Sequence, residues 1–280
     1  MSDTSIVIPF QQLEEFWIHT GTACNLECPF CLEGSRPGDT RLERIKLNEI
    51  RPYLDQAAQL GAQRFYFTGG EPLIVKDIVK ILEYALNLKP CIVISNGTAP
   101  LLKRLHQLQL LKQQMHPLSF YISLDHPDQQ LHDKDRGWGN FQRAIEGLQL
   151  LHVQGFAIAI VRQIHDDEDQ DAVLSSYKQL LRKSHLPEDT IIHALPDFGR
   201  PGISSDEAPI DIAALINAKP KCSYSRMLLK RNGKLNINSC LFTDDDVNFE
   251  MGNSLESAVA TDVAPTHHRC HKCGICKIEM

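Results

Sequence analysis

The chain predicts an α/β fold: a partial (β/α)6 barrel followed by a small, cysteine-rich C-terminal hairpin-helix extension. Three observations lead there. Six short apolar runs alternate with helix-period stretches, which implies a parallel sheet with right-handed crossovers. The runs are nearly continuous in apolar residues, as strands covered on both faces should be. A cysteine triad follows the first run, and in parallel barrels chemistry collects at the carboxyl ends of the strands. Periodicity alone equally allows a doubly wound sheet; the position of the triad selects the barrel.

Strands are expected at 15–20 (EFWIHT), 64–68 (RFYFT), 91–95 (CIVIS), 119–124 (SFYISL), 156–162 (FAIAIVR) and 190–195 (TIIHAL). Helical patterns fill 47–60, 76–88, 100–114, 140–153 and 169–183. Glycine, proline and serine then cluster at 197–209, which reads as a linker. Beyond it, YSRMLLKRNGKLNINSC reads as two strands around an Asn-Gly turn, a hairpin signal. MGNSLESAVA follows as a short helix that Asn253 or Ser254 could cap. The expected division is a barrel core at 12–200, a linker and short helix at 201–221, and an extension at 222–280.

Apolar residues make up 42% of the 280, enough for a sizeable core. No run of eighteen apolar residues occurs, so no membrane span is expected. The N-terminus lacks a basic stretch leading into an apolar one, so no secretory signal is expected. Nine cysteines are too few and too clustered for a stapled secreted scaffold, and the number is odd. The expectation is a reducing cytoplasm. A net charge of −6 argues against a nucleic-acid partner, since phosphate binding needs local positive charge.

Cys24, Cys28 and Cys31 form a C-x3-C-x2-C run. Three close thiolates suit a cubane iron–sulfur cluster, one short of the usual four, and the shortfall leaves one iron open to an outside ligand. A structural zinc site would want four ligands, commonly as two separated pairs. FTGGEP follows at 67–72, SNGT at 95–98 and SLD at 123–125. GGEP by itself could be a turn into a helix, but it comes directly after an apolar run. In spacing and order these motifs resemble the radical S-adenosylmethionine (SAM) superfamily over most of residues 12–200.

The resemblance implies a [4Fe-4S] cluster on Cys24, Cys28 and Cys31, with SAM chelating the open iron and Phe30 against the adenine. It implies that Gly69, Gly70, Glu71 and Pro72 lie by the methionine amino group, and that Ser95, Asn96, Ser123 and Asp125, after strands three and four, reach the ribose and carboxylate. Short polar residues at these strand ends could equally cap turns, and Glu71 could be a local hydrogen-bonding anchor. Arg162 could pair with a carboxylate in bidentate fashion. Arg136, in HDKDRGWGNF, matches a loop frequent in relatives that carry a SPASM extension; a plain surface arginine is the alternative. The implied chemistry is reductive cleavage of SAM to a 5′-deoxyadenosyl radical, which takes a hydrogen atom from a small-molecule or peptide substrate. A flavodoxin- or ferredoxin-type donor would supply the electron.

Cys222 and Cys240 flank the hairpin, and Cys270, Cys273 and Cys276 end the chain as CxxCxxC. The arrangement looks like the Twitch or truncated SPASM extension, and implies one auxiliary [4Fe-4S] cluster on Cys222, Cys240, Cys270 and Cys273, with Cys276 spare or substituting. A zinc ribbon fits the same spacing. Cys91 reads as a small apolar residue. His193 and Asp197 lie on or after strand six, where substrate or adenine could sit; for His193 a satisfied core histidine is the commoner reading. Lys219, Lys221, Arg226, Lys230, Arg231 and Lys234 read as charged protection of an edge strand. Asp244, Asp245 and Asp246 read as a solvated loop. Two other classes share parts of the pattern. A ferredoxin-type carrier has no use for GGEP and SNGT, and a zinc-stabilised binding module would be told apart by metal analysis.

Overall fold

The structure, a computed structural model, describes residues 7–164, 168–199, 201, 215 and 217–273. Cys276 and most of the linker expected at 197–209 lie outside the described residues. Among the described residues six strands alternate with helices: β1 (Glu15–His19), α1 (Leu47–Gln59), β2 (Arg64–Thr68), α2 (Ile78–Leu86), β3 (Cys91–Ser95), α3 (Ala99–Leu110), β4 (Leu118–Ser123), α4 (Gln129–Arg136), α5 (Asn140–Val153), β5 (Ala157–Gln163), α6 (Gln170–Lys183) and β6 (Ile191–Leu195). Helix α4 was not expected, because its sequence QQLHDKDR offers no apolar period. Its start was nonetheless encoded: Asp128 accepts from the amides of Gln130 and Leu131 at 2.8 and 3.1 Å, a regular N-cap.

The sheet runs β6-β5-β4-β3-β2-β1 with every neighbouring pair parallel. Strictly consecutive order excludes the doubly wound alternative, in which strand order reverses at a switch point. The sheet then continues. Strand β7 (Ser225–Arg231) pairs parallel with the free edge of β1, and β8 (Lys234–Asn238) closes antiparallel on β7. The other edge of β1 is thus taken by the extension, and β1 does not meet β6. The barrel stays open. Asn232 and Gly233 turn the hairpin at φ 51° and 75°, the left-handed pair that such a two-residue turn demands. Ser254 caps α7 (Leu255–Val259), its hydroxyl accepting from the Ser257 amide at 3.2 Å.

Alternation along the strands sorts two cores. Phe16, Ile18, Phe65, Phe67, Val93, Phe120 and Ile160 face outward to the helices. Trp17, Tyr66, Ile92, Ile94, Tyr121 and Leu195 face inward and merge with Phe198, Met227, Cys222, Cys240 and Phe242. The extension therefore shares the barrel's interior core.

The basic hairpin reading needs correction. Arg226 is fully buried, its guanidinium donating to the carbonyls of Cys222, Ala258 and Thr261 at 2.7–3.0 Å. Lys221 pairs with Glu15, Lys230 with Glu49, Arg231 with Glu250 and Lys219 with Glu14. Because β7 is internal to the sheet, these cations meet carboxylates from the barrel and the extension instead of guarding an edge; Lys234, exposed on the edge strand β8, fits the edge reading.

Candidate active site

The cysteine loop leaves the top of β1 and is closed by short-range bonds. The Cys31 amide donates to the Cys28 carbonyl at 3.1 Å, the Gly34 amide to the Cys31 carbonyl at 2.9 Å, and the Cys24 amide to the Arg36 carbonyl at 3.2 Å. Arg41 braces the same loop, donating to the carbonyls of Glu33 and Gly34. The three thiols line one cavity of about 210 Å³ and form no disulfide. Burial pushes the Cys24 thiol up to about 12 and Cys28 up to about 11, and raises Cys31 as well. Thiols so placed give up protons readily only to a metal.

The GGEP turn packs against the segment that leads into Cys24. The amides of Gly70 and Glu71 donate to the carbonyls of Gly21 and Ala23 at 2.9 and 3.1 Å. A Cβ on Gly70 would stand 2.2 Å from the Ala23 oxygen, and Gly69 sits at φ 132° with Gly21 and Thr20 pressed against it. Both glycines are required by this close approach, and both line the cavity. Glu71 and Pro72 do not; they lie behind its wall. The buried Glu71 carboxylate accepts from the Leu73 amide, the Ser95 hydroxyl and the Asn96 amide at 2.9–3.2 Å, so it ties the ends of β2 and β3 together. The local-anchor reading of Glu71 fits this geometry.

Asn96 reaches back to the cysteine loop, its amide donating to Asn25 at 2.9 Å and lying 3.8 Å from the Cys24 sulfur. The Leu26 amide approaches the same sulfur at 3.3 Å. Donors on a ligating sulfur are one of the protein's means of tuning a cluster. Ser95, Ser123 and Asp125 also line the cavity. Asp125 is engaged by Arg136, whose guanidinium lies over the Phe30 ring at 5.4 Å. The surface-arginine alternative for Arg136 is therefore wrong: α4 folds it inward over the thiols. Arg162 lines the cavity too, but its guanidinium is paired with Glu168 and packs over Tyr177, and its Nε has no partner among the described residues.

Residues 18–176 match the Radical SAM superfamily profile, more than half of the chain. The chain belongs to the radical SAM superfamily. Its members are enzymes that use a [4Fe-4S] cluster and SAM. Antilisterial bacteriocin subtilosin biosynthesis protein AlbA of Bacillus subtilis is 28% identical over 145 residues, 51% of this chain and 31% of that protein. Mycofactocin maturase MftC of Mycolicibacterium smegmatis is 29% identical over 176 residues, 59% of this chain and 42% of that one. The chain thus spans about a third to two fifths of these curated relatives. Streptococcus suis SuiB, solved bound to S-adenosylmethionine, superposes with a TM-score of 0.69 over 90% of this chain and 67% of its own, at 13% identity, a likeness of fold. No helix among the described residues is long and apolar enough to cross a membrane.

The radical SAM cofactors fit the residues present. Three convergent thiols sit at the edge of a cavity roomy enough for a further ligand, with amide donors already turned toward sulfur. The second cysteine set also converges. Cys222, Cys240, Cys270 and Cys273 line one small buried pocket between the hairpin and the C-terminal turn. Burial pushes Cys222 and Cys270 up to about 12 and raises Cys240 well above its ordinary value. Cys91 is buried away from both sets, in the outer core.

Sequence reasoning missed what joins the two sets. Asp244 is 4% exposed, held against Glu33 and His19, and Asp245 pairs with His267, so the solvated-loop reading is overturned. Arg269, 1% exposed, donates to the carbonyls of Leu32, Phe198, Gly199 and Phe242 at 3.0–3.3 Å, and to Asp245. Leu32 follows Cys31 and Arg269 precedes Cys270, so one guanidinium braces both sites. An arginine beside a cysteine motif carries no sequence signal of burial; only the packing of the extension on the loop creates it.

Proposed function

We propose that Cys24, Cys28 and Cys31 hold the [4Fe-4S] cluster and that SAM occupies the adjoining cavity, making the chain a radical SAM enzyme that modifies a peptide or small molecule. The observation that carries this is the single cavity shared by the three thiols, the GGEP glycines and the ends of β3, β4 and β5. Held by Cys24, Cys28 and Cys31 and in the adjoining cavity, the cluster and SAM would supply reductive radical chemistry for hydrogen-atom abstraction from a substrate. The chain's own residues position and enclose. Gly69 and Gly70 let the loops close, Asn96 and the Leu26 amide support Cys24, and Arg136 with Asp125 sets a compensated charge pair beside Phe30.

A peptide substrate is favoured by the similar proteins: a bacteriocin biosynthesis protein, a maturase, and SuiB, solved bound to precursor peptide SuiA. The four converging thiols of the extension support an auxiliary [4Fe-4S] cluster, and a flavodoxin- or ferredoxin-type protein is the proposed electron donor. The proposed division is a barrel core at 12–200 and a cluster-bearing extension from 222 onward.

Anaerobic reconstitution followed by iron and zinc analysis tests both sites. About eight iron per chain are expected, and about four after Cys24, Cys28 and Cys31 are changed together to alanine. Zinc in the remaining site would refute the auxiliary cluster. With dithionite and SAM, the wild type should form 5′-deoxyadenosine and Cys28→Ala should not. Equal rates would refute the triad assignment.

A further inference from the structure

The inner end of the cavity is aromatic. Trp17 of β1 and Tyr66 of β2 stack with centroids 4.1 Å apart and planes within 6°. Tyr66 meets Tyr121 of β4 edge-on at 6.4 Å, and Tyr121 meets the His193 ring of β6 at 4.8 Å. Phe198 and Phe242 stack at 4.2 Å and line the same space. The charges beside that end are already engaged: Lys221 pairs with Glu15, and the Arg64 guanidinium is held at the Tyr66 side chain.

His193 is the anomaly. It is 2% exposed, and its Nε2 has no partner among the described residues, so the satisfied-core reading fails. Leaving a buried polar atom unmade costs about 1–3 kcal/mol, and such atoms call for an explanation. Burial, and then Lys221, hold the ring neutral by pushing its pKa down. A neutral imidazole facing an apolar cavity can make one hydrogen bond, as donor or acceptor, and has no means of balancing an ion.

We propose that this end of the cavity is a substrate subsite for a neutral aromatic group carrying one hydrogen-bonding function, a phenol or an indole, stacked beside Tyr121 and bonded to His193 Nε2. The subsite rests on the radical SAM reading only in naming its occupant the substrate. A neutral group suits it because the charges beside the aromatic wall already have partners, Lys221 in Glu15 and Arg64 in the Tyr66 side chain. A plain hydrocarbon would fill the space and leave Nε2 unmade. Sites built to bond a hydroxyl or N–H reject analogues that lack it more strongly than apolar pockets reject a change of size.

The test is equilibrium dialysis of the reconstituted protein against the N-acetyl amides of tyrosine, tryptophan, phenylalanine and leucine, with p-ethylphenol as a backbone-free probe. The tyrosine and tryptophan amides should bind about tenfold more tightly than the phenylalanine amide, the worth of one buried hydrogen bond. His193→Gln, which keeps a hydrogen-bonding group, should retain that preference, and His193→Phe should lose it. Binding of p-ethylphenol equal to the tyrosine amide would identify a small phenol as the occupant; weaker binding would identify a peptide side chain. Equal wild-type affinity for all four amides overturns the proposal, as does absence of binding. A preference that survives in folded His193→Phe does so too. Wild-type 5′-deoxyadenosine formation, assayed without any probe, reports separately on the radical SAM reading.

Discussion

Arg269→Met removes the guanidinium that bridges the cysteine loop and the extension while keeping most of the side chain's volume. The loss strands the carbonyls of Leu32, Phe198, Gly199 and Phe242 in a buried place and leaves Asp244 and Asp245 without their cation. Each unsatisfied buried group costs about 1–3 kcal/mol. The losses are not additive, because the same atoms relax together. Removing one partner of a buried ion pair typically costs about 3–5 kcal/mol, so a net loss of about 4 kcal/mol is expected. Arg269→Lys keeps the charge but reaches fewer acceptors, and about half that loss is expected. Urea unfolding followed by circular dichroism, with all proteins reconstituted side by side, measures the difference. Iron analysis adds a second readout. Because Arg269 holds Leu32 next to Cys31 and itself adjoins Cys270, iron should be lost from both sites, whereas Cys273→Ala should empty only the second. An Arg269→Met protein with full iron and a stability within about 0.5 kcal/mol of wild type, the range of an ordinary surface substitution, would refute the bridging role.

Gly70→Ala places a methyl group 2.2 Å from the Ala23 oxygen, so the cysteine loop must move. A cost of about 3 kcal/mol, the upper range for overpacking, and selective loss of the triad's iron are expected from urea unfolding and iron analysis. Losing Cys240 and Cys273 together should spare 5′-deoxyadenosine formation while stopping product formation. Circular dichroism checks that this variant is folded, and wild-type turnover by it would remove a catalytic role for the second site. His132 is buried beside Phe141, and burial, reinforced by Arg136, lowers its pKa from 6.5 to about 4, with Asp125 and Asp133 opposing. Between those values the unfolded chain binds more protons than the folded one, so stability falls as pH drops through that window. His132→Leu should flatten the acid limb by about 3 kcal/mol between pH 6.5 and 4, measured by urea unfolding across pH. An unchanged limb would show that His132 does not titrate as its burial requires.

What could be read along the chain was what depends on near neighbours. The six strands fall within a residue or two of their expected places, because apolar runs such as CIVIS and RFYFT declare burial on both faces. The Asn-Gly turn and the Ser254 cap follow from local backbone chemistry. The spacing of Cys24, Cys28 and Cys31, with the two glycines of GGEP directly after an apolar run, points to a cluster loop. Helix α4 escaped because its stability comes from a polar cap and from docking on α5, not from an apolar stripe.

Tertiary structure alone decided the fate of the charges. Arg226, Arg269 and Asp244 have the same composition signal as solvated side chains, yet all are buried. The free energy of a charge depends on what covers it, and the covering segments lie up to 237 residues away, as Leu32 does from Arg269. The same holds for His193. Its sequence position says strand, and only the gathering of six strands around an aromatic floor leaves its ring lining a cavity while its Nε2 has no partner among the described residues. The cysteine pattern carried the chemistry, because ligand type and spacing are written locally. Which side chains surround that chemistry was set by long-range packing, because desolvation is a property of the assembled fold.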